Sequence, residues 1–319
     1  EAGLPDGVVN FLPGSGALIG KVAFANPDLA GVHFTGSTAT FKIFWKSIGD
    51  NIDKYRTYPK IVGETGGKDF IFAHKSADPE QVATAIVRGA FEFQGQKCSA
   101  ASRAYIPASM WPKVLKLVEK MTKEIKMGDV RDFSAFVNAV IDEASFDNCM
   151  RYIEHAKKSK DAEIVIGGKG DKKKGWFVEP TVILAKKPDY KSMCEEIFGP
   201  ILPVMTFNKI EEVEQFVTKR AKPLACYVFT NDKKVERTFM RYISFGGGCI
   251  NDTINHICTD TMGFGGVGES GMGSYHGKRT FLTFSHEKSI LKKSQLIDTP
   301  MRYQPYKTLY SKLLHTLLR

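Results

Sequence analysis

The sequence predicts an α/β protein built on a parallel β-sheet. Strand-like, turn-like and helix-like segments alternate along the chain, which is the pattern of such sheets. A Gly-Ser turn separates the first predicted strand from the first predicted helix, where parallel sheets hold phosphate groups. With 319 residues, 43% of them hydrophobic and 25% charged, the chain is long enough for two domains and a sizeable core.

The first elements establish this alternation. Residues 28–37, "DLAGVHFTGS", predict a short buried strand that runs into the Gly-Ser turn, and residues 41–52, "FKIFWKSIGDNI", have the apolar spacing of a helix. Residues 59–73, "PKIVGETGGKDFIFA", then predict a strand, a glycine turn and a second strand. Because the glycine pair interrupts two strand-like runs, we place a boundary near residues 64–67.

The later elements continue the alternation. Asp78 is a suitable N-cap with Pro79 at the first helical position, and apolar residues recur at helical spacing as far as Phe91. Apolar runs and amphipathic spacing predict strands at 102–107, 162–168, 177–184, 225–230 and 246–252, and helices at 114–125 and 210–220.

Composition argues against several classes of protein. No apolar run reaches the roughly 18 residues of a membrane span, and the first ten residues lack the features of a secretory signal. The formal net charge is +10, but the basic residues form short clusters such as "KKSK" (157–160), which favours solvated loops over a nucleic-acid surface. The six cysteines have no paired short spacing, so we expect reduced intracellular thiols and no metal site.

The stretch "FEFQGQKCSA", residues 91–100, places Cys98 just after the end of an apolar helix. The preceding Gly-Gln-Lys interrupts helical hydrogen bonding, and the neighbouring Lys97 favours a thiolate, as a nucleophile requires. Taken alone, the pattern favours a small buried residue at a helix end. Glu64 begins a glycine-rich turn that suits a general base, with an isolated surface glutamate as the alternative.

Four motifs occur in one order along the chain. They are "FTGST" (34–38), "GETGGKD" (63–69), "GQKCSA" (95–100) and "EEIFGP" (195–200). In this order they resemble the NAD(P)-dependent aldehyde dehydrogenases, and the resemblance extends from "EAGLPDGVVNFLPG" to "FGGVGESGMG". It implies the fold of that family, with a partial Rossmann-type cofactor domain followed by an α/β catalytic domain.

Two parts of the chain resemble different branches of this family. Residues 1–200, with "AFEFQGQKCSAASRAYIP", are similar to the L-glutamate γ-semialdehyde (1-pyrroline-5-carboxylate) dehydrogenases of proline degradation. Residues 200–319, with "FGGVGESGMGSYHGKRTF", resemble the class 3 and fatty aldehyde dehydrogenases. The resemblance implies oxidation of L-glutamate γ-semialdehyde to L-glutamate. The alternatives are a medium- or long-chain aliphatic aldehyde dehydrogenase and a non-catalytic fragment of such an enzyme.

The resemblance also implies roles for single residues. Cys98 is the expected nucleophile, which forms a thiohemiacetal and then a thioester, and Glu64 is the base that activates water to hydrolyse it. Ser99 and Ser270 are expected to bind the carboxylate of the substrate. The cofactor is expected to be NAD, with NADP as the alternative. The residues expected to bind it are Gly36, Ser37, Thr38, Thr40, Gly66, Glu196 and Phe198.

The same resemblance predicts how the chain is organised. Residues 1–66 correspond to the C-terminal part of the NAD-binding domain, 67–265 to the catalytic domain and 266–319 to a C-terminal loop and oligomerisation segment. We expect the N-terminal part of the family fold, with its oxyanion-hole asparagine, to be absent. The leucines of residues 303–319 have helical spacing, which predicts an amphipathic helix that docks on a partner subunit or a substrate entrance. We expect a homo-oligomer, a dimer or larger, in the cytoplasm, or in the mitochondrial matrix of a eukaryote.

Overall fold

The computed structural model describes residues 3–296, 298, 302–305 and 307–318. The helices are α1 (Gly16–Ala25), α2 (Thr38–Asp50), α3 (Pro79–Phe91), α4 (Trp111–Lys123), α5 (Glu143–Lys158), α6 (Lys191–Cys194), α7 (Ile210–Thr218), α8 (Lys233–Tyr242), α9 (Gly277–Phe284) and α10 (Thr308–Leu317). The strands are β1 (Gly31–Gly36), β2 (Lys60–Thr65), β3 (Phe70–Ala73), β4 (Arg103–Pro107), β5 (Ala162–Ile166), β6 (Gly170–Asp171), β7 (Phe177–Val178), β8 (Thr181–Ala185), β9 (Ile201–Phe207), β10 (Ala225–Phe229), β11 (Gly247–Ile250) and β12 (Gly271–Met272). Packing divides the chain into one unit that ends at Phe284 and a second that begins at Ser285.

A three-stranded sheet in the first unit has the order β1-β2-β12. Strands β1 and β2 are parallel, with Thr35 opposite Glu64, and β12 pairs antiparallel to β2 with Gly271 opposite Glu64. Glu64 therefore lies in the central strand, with a neighbouring strand on each side. Since β12 comes from far along the chain, this sheet joins two distant parts of the sequence.

A seven-stranded sheet forms the centre of the first unit, with the order β11-β10-β3-β4-β9-β8-β5. All neighbours are parallel except β5, which pairs antiparallel with β8 at the edge. Every residue of β3, β4 and β10 is buried, as expected for parallel strands covered on both faces. Phe72 and Tyr105 pack in one apolar cluster and Ile71 and Ile106 in the other, because alternate residues of a strand point to opposite faces.

These elements confirm the predicted α/β fold with its parallel sheet. Asp78 caps α3 through a hydrogen bond from the Glu80 N–H, as the sequence predicts for that helix start. The predicted boundary separates two sheets, since β2 belongs to the three-stranded sheet and β3 to the seven-stranded one. The division at residues 66 and 265 stays a prediction.

The second unit contains α10, which confirms the helix predicted within residues 303–319. Tyr306 and Arg319 lie outside the described residues. The helix exposes its leucines, from 43% of Leu314 to 72% of Leu317. No described helix in either unit is both long and apolar enough to cross a membrane.

Candidate active site

The loop that carries Cys98 is shaped by three consecutive residues with left-handed backbone. Residues 93–95 have φ angles of 54°, 57° and 64° directly after α3. A Cβ atom at Gly95 would lie 2.5 Å from the carbonyl oxygen of Gly199 and 2.6 Å from that of Ala90. Position 95 therefore requires glycine, both for its φ angle and for the close approach of the two carbonyl groups.

Two glutamines hold this loop against a distant segment. The amide of Gln94 donates to the Ala139 carbonyl at 3.1 Å and accepts from the Asn138 N–H at 3.0 Å. Gln96 accepts from the Ile141 N–H at 2.8 Å. The residues around position 140 thus fix the two glutamines that precede Cys98.

The thiol of Cys98 is half-buried, and its pKa is well above the usual value for a cysteine. Burial is the largest cause, followed by the interaction of the thiol with the neighbouring Glu64 carboxylate, which favours the protonated thiol. The ammonium group of Lys97 lies 3.6 Å from Glu92 in an ion pair. The effect of Lys97 on the thiol stays a prediction.

Glu64 lies near the carboxyl end of β2 and is only 2% exposed. Its Oε2 atom accepts a hydrogen bond of 2.5 Å from the hydroxyl of Tyr275. Its other oxygen, Oε1, is buried and accepts no hydrogen bond from the described residues. The candidate nucleophile and base thus lie side by side, and one carboxylate oxygen is left available.

A cavity of about 360 Å³ brings several other predicted residues together. Its lining includes Thr38, Gly66, Glu196 and Ser270, which come from separate parts of the sequence. The wall also contains the basic residue Lys68. Residues predicted to bind a cofactor therefore share one open space.

Glu196 contacts the glycine turn that follows β2. A Cβ atom at Gly66 would lie 2.0 Å from Glu196 Oε2, so any side chain there would displace the carboxylate. The N–H of Gly67 donates to Glu196, and Lys68 contributes a favourable charge. Partial burial outweighs both effects and raises the pKa of Glu196. The turn positions this carboxylate on the cavity wall.

Lys68 is buried beside this carboxylate. Its Nζ atom donates to the Ser102 hydroxyl at 2.8 Å. Burial, together with the nearby positive charge of Arg103, lowers the pKa of Lys68 to about 7. The buried amine is therefore a weaker base than that of an exposed lysine.

The N-terminus of α2 contains the other predicted cofactor residues. The Ser37 hydroxyl accepts from the Thr40 N–H at 3.1 Å and lies 2.8 Å from the Thr40 hydroxyl. Thr38 donates to the Glu269 carbonyl at 3.2 Å. A Cβ atom at Gly36 would lie 2.5 Å from an aromatic ring of β1, so this position accepts only glycine without rearrangement. These contacts define a compact turn at a helix N-terminus.

The remaining predicted residues differ in their accessibility. Phe198 has a φ angle of 58° and is 47% exposed, so a constrained backbone presents its ring at the surface. Ser99 is fully buried, and its hydroxyl has no hydrogen-bond partner among the described residues. The hydroxyl of Ser270 instead donates to the Val267 carbonyl and accepts from the Val267 N–H, both at 2.9 Å. The substrate-binding roles of the two serines stay predictions.

Comparison with known proteins adds independent information. The model of the aldehyde dehydrogenase family matches residues 1–290. The chain is 50% identical over 280 residues to the mitochondrial delta-1-pyrroline-5-carboxylate dehydrogenase of Dictyostelium discoideum. The aligned residues cover 85% of this chain and 50% of that protein. It spans about half the length of the curated relatives it matches.

Two solved structures have a similar fold. Substrate-bound AldH of Staphylococcus aureus matches with a TM-score of 0.84 and 30% identity, covering 96% of this chain and 64% of that one. The delta-pyrroline-5-carboxylate dehydrogenase of Mycobacterium tuberculosis bound with NAD matches with a TM-score of 0.79 and 36% identity, covering 95% of this chain and 56% of that one. The match to the Mycobacterium tuberculosis enzyme extends past residue 200. It therefore does not require that residues 200–319 come from a different branch of the family, and that difference stays a prediction.

Proposed function

The chain belongs to the aldehyde dehydrogenase family, and we propose that it carries the catalytic part of an enzyme that oxidises L-glutamate γ-semialdehyde to L-glutamate with NAD. The position of Cys98 beside the buried carboxylate of Glu64 is the observation that carries this proposal. The names of the Dictyostelium discoideum relative and the Mycobacterium tuberculosis structure support the choice of substrate.

The residues around the cavity fit a dinucleotide. Glu196 presents a carboxylate that would accept hydrogen bonds from ribose hydroxyls, and the absence of a side chain at Gly66 keeps it in place. The Ser37–Thr40 turn begins α2, whose N-terminal N–H groups suit phosphate oxygens. Phe198 offers an exposed ring for a contact beside the nicotinamide. When bound, NAD supplies the acceptor for the hydride that leaves the substrate carbon.

Cys98 and Glu64 perform the covalent chemistry. The Cys98 thiol releases its proton to solvent, and its sulfur attacks the aldehyde carbon, so that a C–S bond forms as the C=O π pair moves onto oxygen. This pair restores the C=O bond as hydride leaves the carbon, and a thioester remains on the cysteine. Glu64 then takes a proton from water, whose oxygen attacks the thioester carbon. The C–S bond breaks, the carboxylate product leaves and the Cys98 sulfur is regenerated.

Ser99 and Ser270 are the proposed contacts to the substrate carboxylate. The unpartnered hydroxyl of Ser99, next to the nucleophile, supports its role. For Ser270, the hydroxyl must first exchange its contacts with Val267.

We also propose that the protein forms a homo-oligomer, and the exposed leucines of α10 support a docking role for that helix. For its location we propose the cytoplasm, or the mitochondrial matrix in a eukaryote, as the name of the Dictyostelium discoideum relative suggests. The proposed domains remain residues 1–66, 67–265 and 266–319, and the sheet change at Gly66 supports the first boundary.

The proposal predicts that the purified chain forms NADH from glutamate γ-semialdehyde and NAD. The rate is measured in parallel with a medium-chain aliphatic aldehyde, and Cys98→Ala serves as the control. We expect activity that is lost in Cys98→Ala and favours the semialdehyde. A tenfold preference for the aliphatic aldehyde would contradict the substrate. Tight NAD binding without any NADH formation would contradict catalysis by this chain.

A further inference from the structure

Tyr275 reaches the candidate base from a distant part of the chain. Its hydroxyl donates to Glu64 Oε2 at 2.5 Å, although 211 positions separate the two residues. The antiparallel pairing of β12 with β2 brings this part of the chain alongside Glu64. The contact is therefore a product of the fold.

The aromatic neighbours of Tyr275 restrict its movement. The ring packs edge-on against His33, with centroids 4.6 Å apart, and against Phe264, with centroids 5.7 Å apart. The backbone of Tyr275 also exchanges two hydrogen bonds of 2.9 Å with that of Phe264. Packing on two sides fixes the direction in which the hydroxyl donates.

Besides Tyr275, the Cys98 thiol interacts with the Glu64 carboxylate. No ion pair among the described residues includes this carboxylate. The nearby Lys68 donates to Ser102 instead. Because a buried carboxylate with few partners is costly, the Tyr275 hydroxyl has a large influence on where the carboxylate lies.

We propose that Tyr275 is a positioning residue that holds Glu64 Oε2, so that Oε1 stays free beside Cys98 and available to take a proton from water. This rests on the proposed roles of Cys98 and Glu64. The hydroxyl also limits how strongly the carboxylate engages the Cys98 thiol, because one of its oxygens is already committed. With Oε2 held by Tyr275, Oε1 is the oxygen that faces the thiol first and the hydrolytic water later in the reaction.

Several titratable groups surround this arrangement. Glu64, Asp69 and Tyr275 act electrostatically on Cys98 or are acted on by it. His33 and His276 pack against the ring of Tyr275. A test must therefore separate the contribution of the Tyr275 hydroxyl from the charge of Glu64.

The rate at which iodoacetamide alkylates Cys98 provides such a test, measured at about pH 8.5 by mass spectrometry of the Cys98 peptide. Without the hydroxyl, the carboxylate engages the thiol more strongly and the thiolate fraction falls. We expect Tyr275→Phe to slow alkylation about threefold to tenfold, which corresponds to a rise of about 0.5 to 1 in the pKa of the Cys98 thiol. A purely structural role would open the site and accelerate alkylation.

The Glu64→Gln background completes the test as a double-mutant cycle. This substitution alone is expected to accelerate alkylation, and adding Tyr275→Phe to it is expected to change nothing. Tyr58→Phe is the matched control, since Tyr58 is 82% exposed. Equal effects of Tyr275→Phe in both backgrounds, no effect in either, or faster alkylation would overturn the proposal. Alkylation requires no turnover, so this result is independent of whether the chain forms NADH.

Discussion

The Cys98–Glu64 pair and the cavity that contains Glu196 differ in how their polar groups are satisfied. Glu64 is buried and accepts a hydrogen bond from one hydroxyl, and its second oxygen has no hydrogen-bond donor among the described residues. Glu196 has the Gly67 N–H and the charge of Lys68 beside it. Glu64 precedes the Gly66–Gly67 turn and Glu196 contacts it, so the two carboxylates differ chiefly in their partners.

This difference suits the two carboxylates to different roles, Glu64 to proton transfer and Glu196 to ligand recognition. A buried group with an unused hydrogen-bonding atom is costly in stability, but it can accept a proton during a reaction. A carboxylate that is held by backbone and open to a cavity is suited to recognising hydroxyl groups. Substitutions that change charge are therefore expected to alter the reactivity of the Cys98–Glu64 pair. Substitutions that change the shape of the cavity are expected to alter ligand binding there.

Gly95→Ala is expected to disturb both regions, because this glycine joins the Cys98 loop to the turn that contains Phe198. The new Cβ would lie 2.5 Å and 2.6 Å from two carbonyl oxygens, at a φ angle of 64°. We expect the free energy of unfolding to fall by about 2–5 kcal/mol, from backbone strain and overpacking together. Urea denaturation measures the change.

Gly49→Ala is the matched control for that substitution. Gly49 lies in α2, and nothing approaches the position of its Cβ within 4 Å. We expect a gain of about 0.5–1 kcal/mol, because alanine is the better helix former. Equal stability of the two variants would show that the loop is not constrained at Gly95.

Gly66→Ala should separate the two regions. The added Cβ would collide with the Glu196 carboxylate, which lies 2.0 Å from its position, and displace it from the cavity wall. We expect NAD to bind about 10- to 100-fold more weakly, as for the loss of one or two hydrogen bonds to a charged group. A titration with NAD, monitored by tryptophan fluorescence, measures this affinity.

The same variant should leave the reactive pair unchanged. The alkylation rate of Cys98 is expected to stay within about twofold of the wild-type rate, since the pKa of the thiol depends chiefly on burial and on Glu64. Unchanged NAD affinity in Gly66→Ala would contradict the proposed role of Glu196.

Local sequence patterns predicted much of the fold. Apolar periodicity located β1, β2, β3, α2 and α3, because burial and capping act over a few residues. The patterns did not identify β9, which lies between β4 and β8 although Pro203 interrupts its backbone donors. Helices α5 and α8 were also not predicted, although each has an apolar face and an aspartate at its N-cap.

The candidate site was predictable where its residues are close in sequence. Cys98 and the glycine turn stand out in short motifs, whereas the contacts that orient them connect distant positions. Gln94 forms hydrogen bonds with Asn138 and Ala139, which lie 44 and 45 positions further along the chain. Tyr275 forms one with Glu64 across 211 positions. Lys97 precedes Cys98 directly in the sequence, and its ammonium group pairs with Glu92. Such contacts depend on the complete fold, so spacing alone does not predict them.

The most direct test of the Cys98–Glu64 mechanism is the fate of Cys98 in Glu64→Gln mixed with NAD and glutamate γ-semialdehyde. Without the base, thioester hydrolysis should slow about 10²- to 10⁴-fold. The mechanism predicts a burst of NADH equal to the enzyme present and an acyl adduct on the Cys98 peptide, detected by mass spectrometry. Turnover at the wild-type rate, or an adduct on a different cysteine, would contradict it.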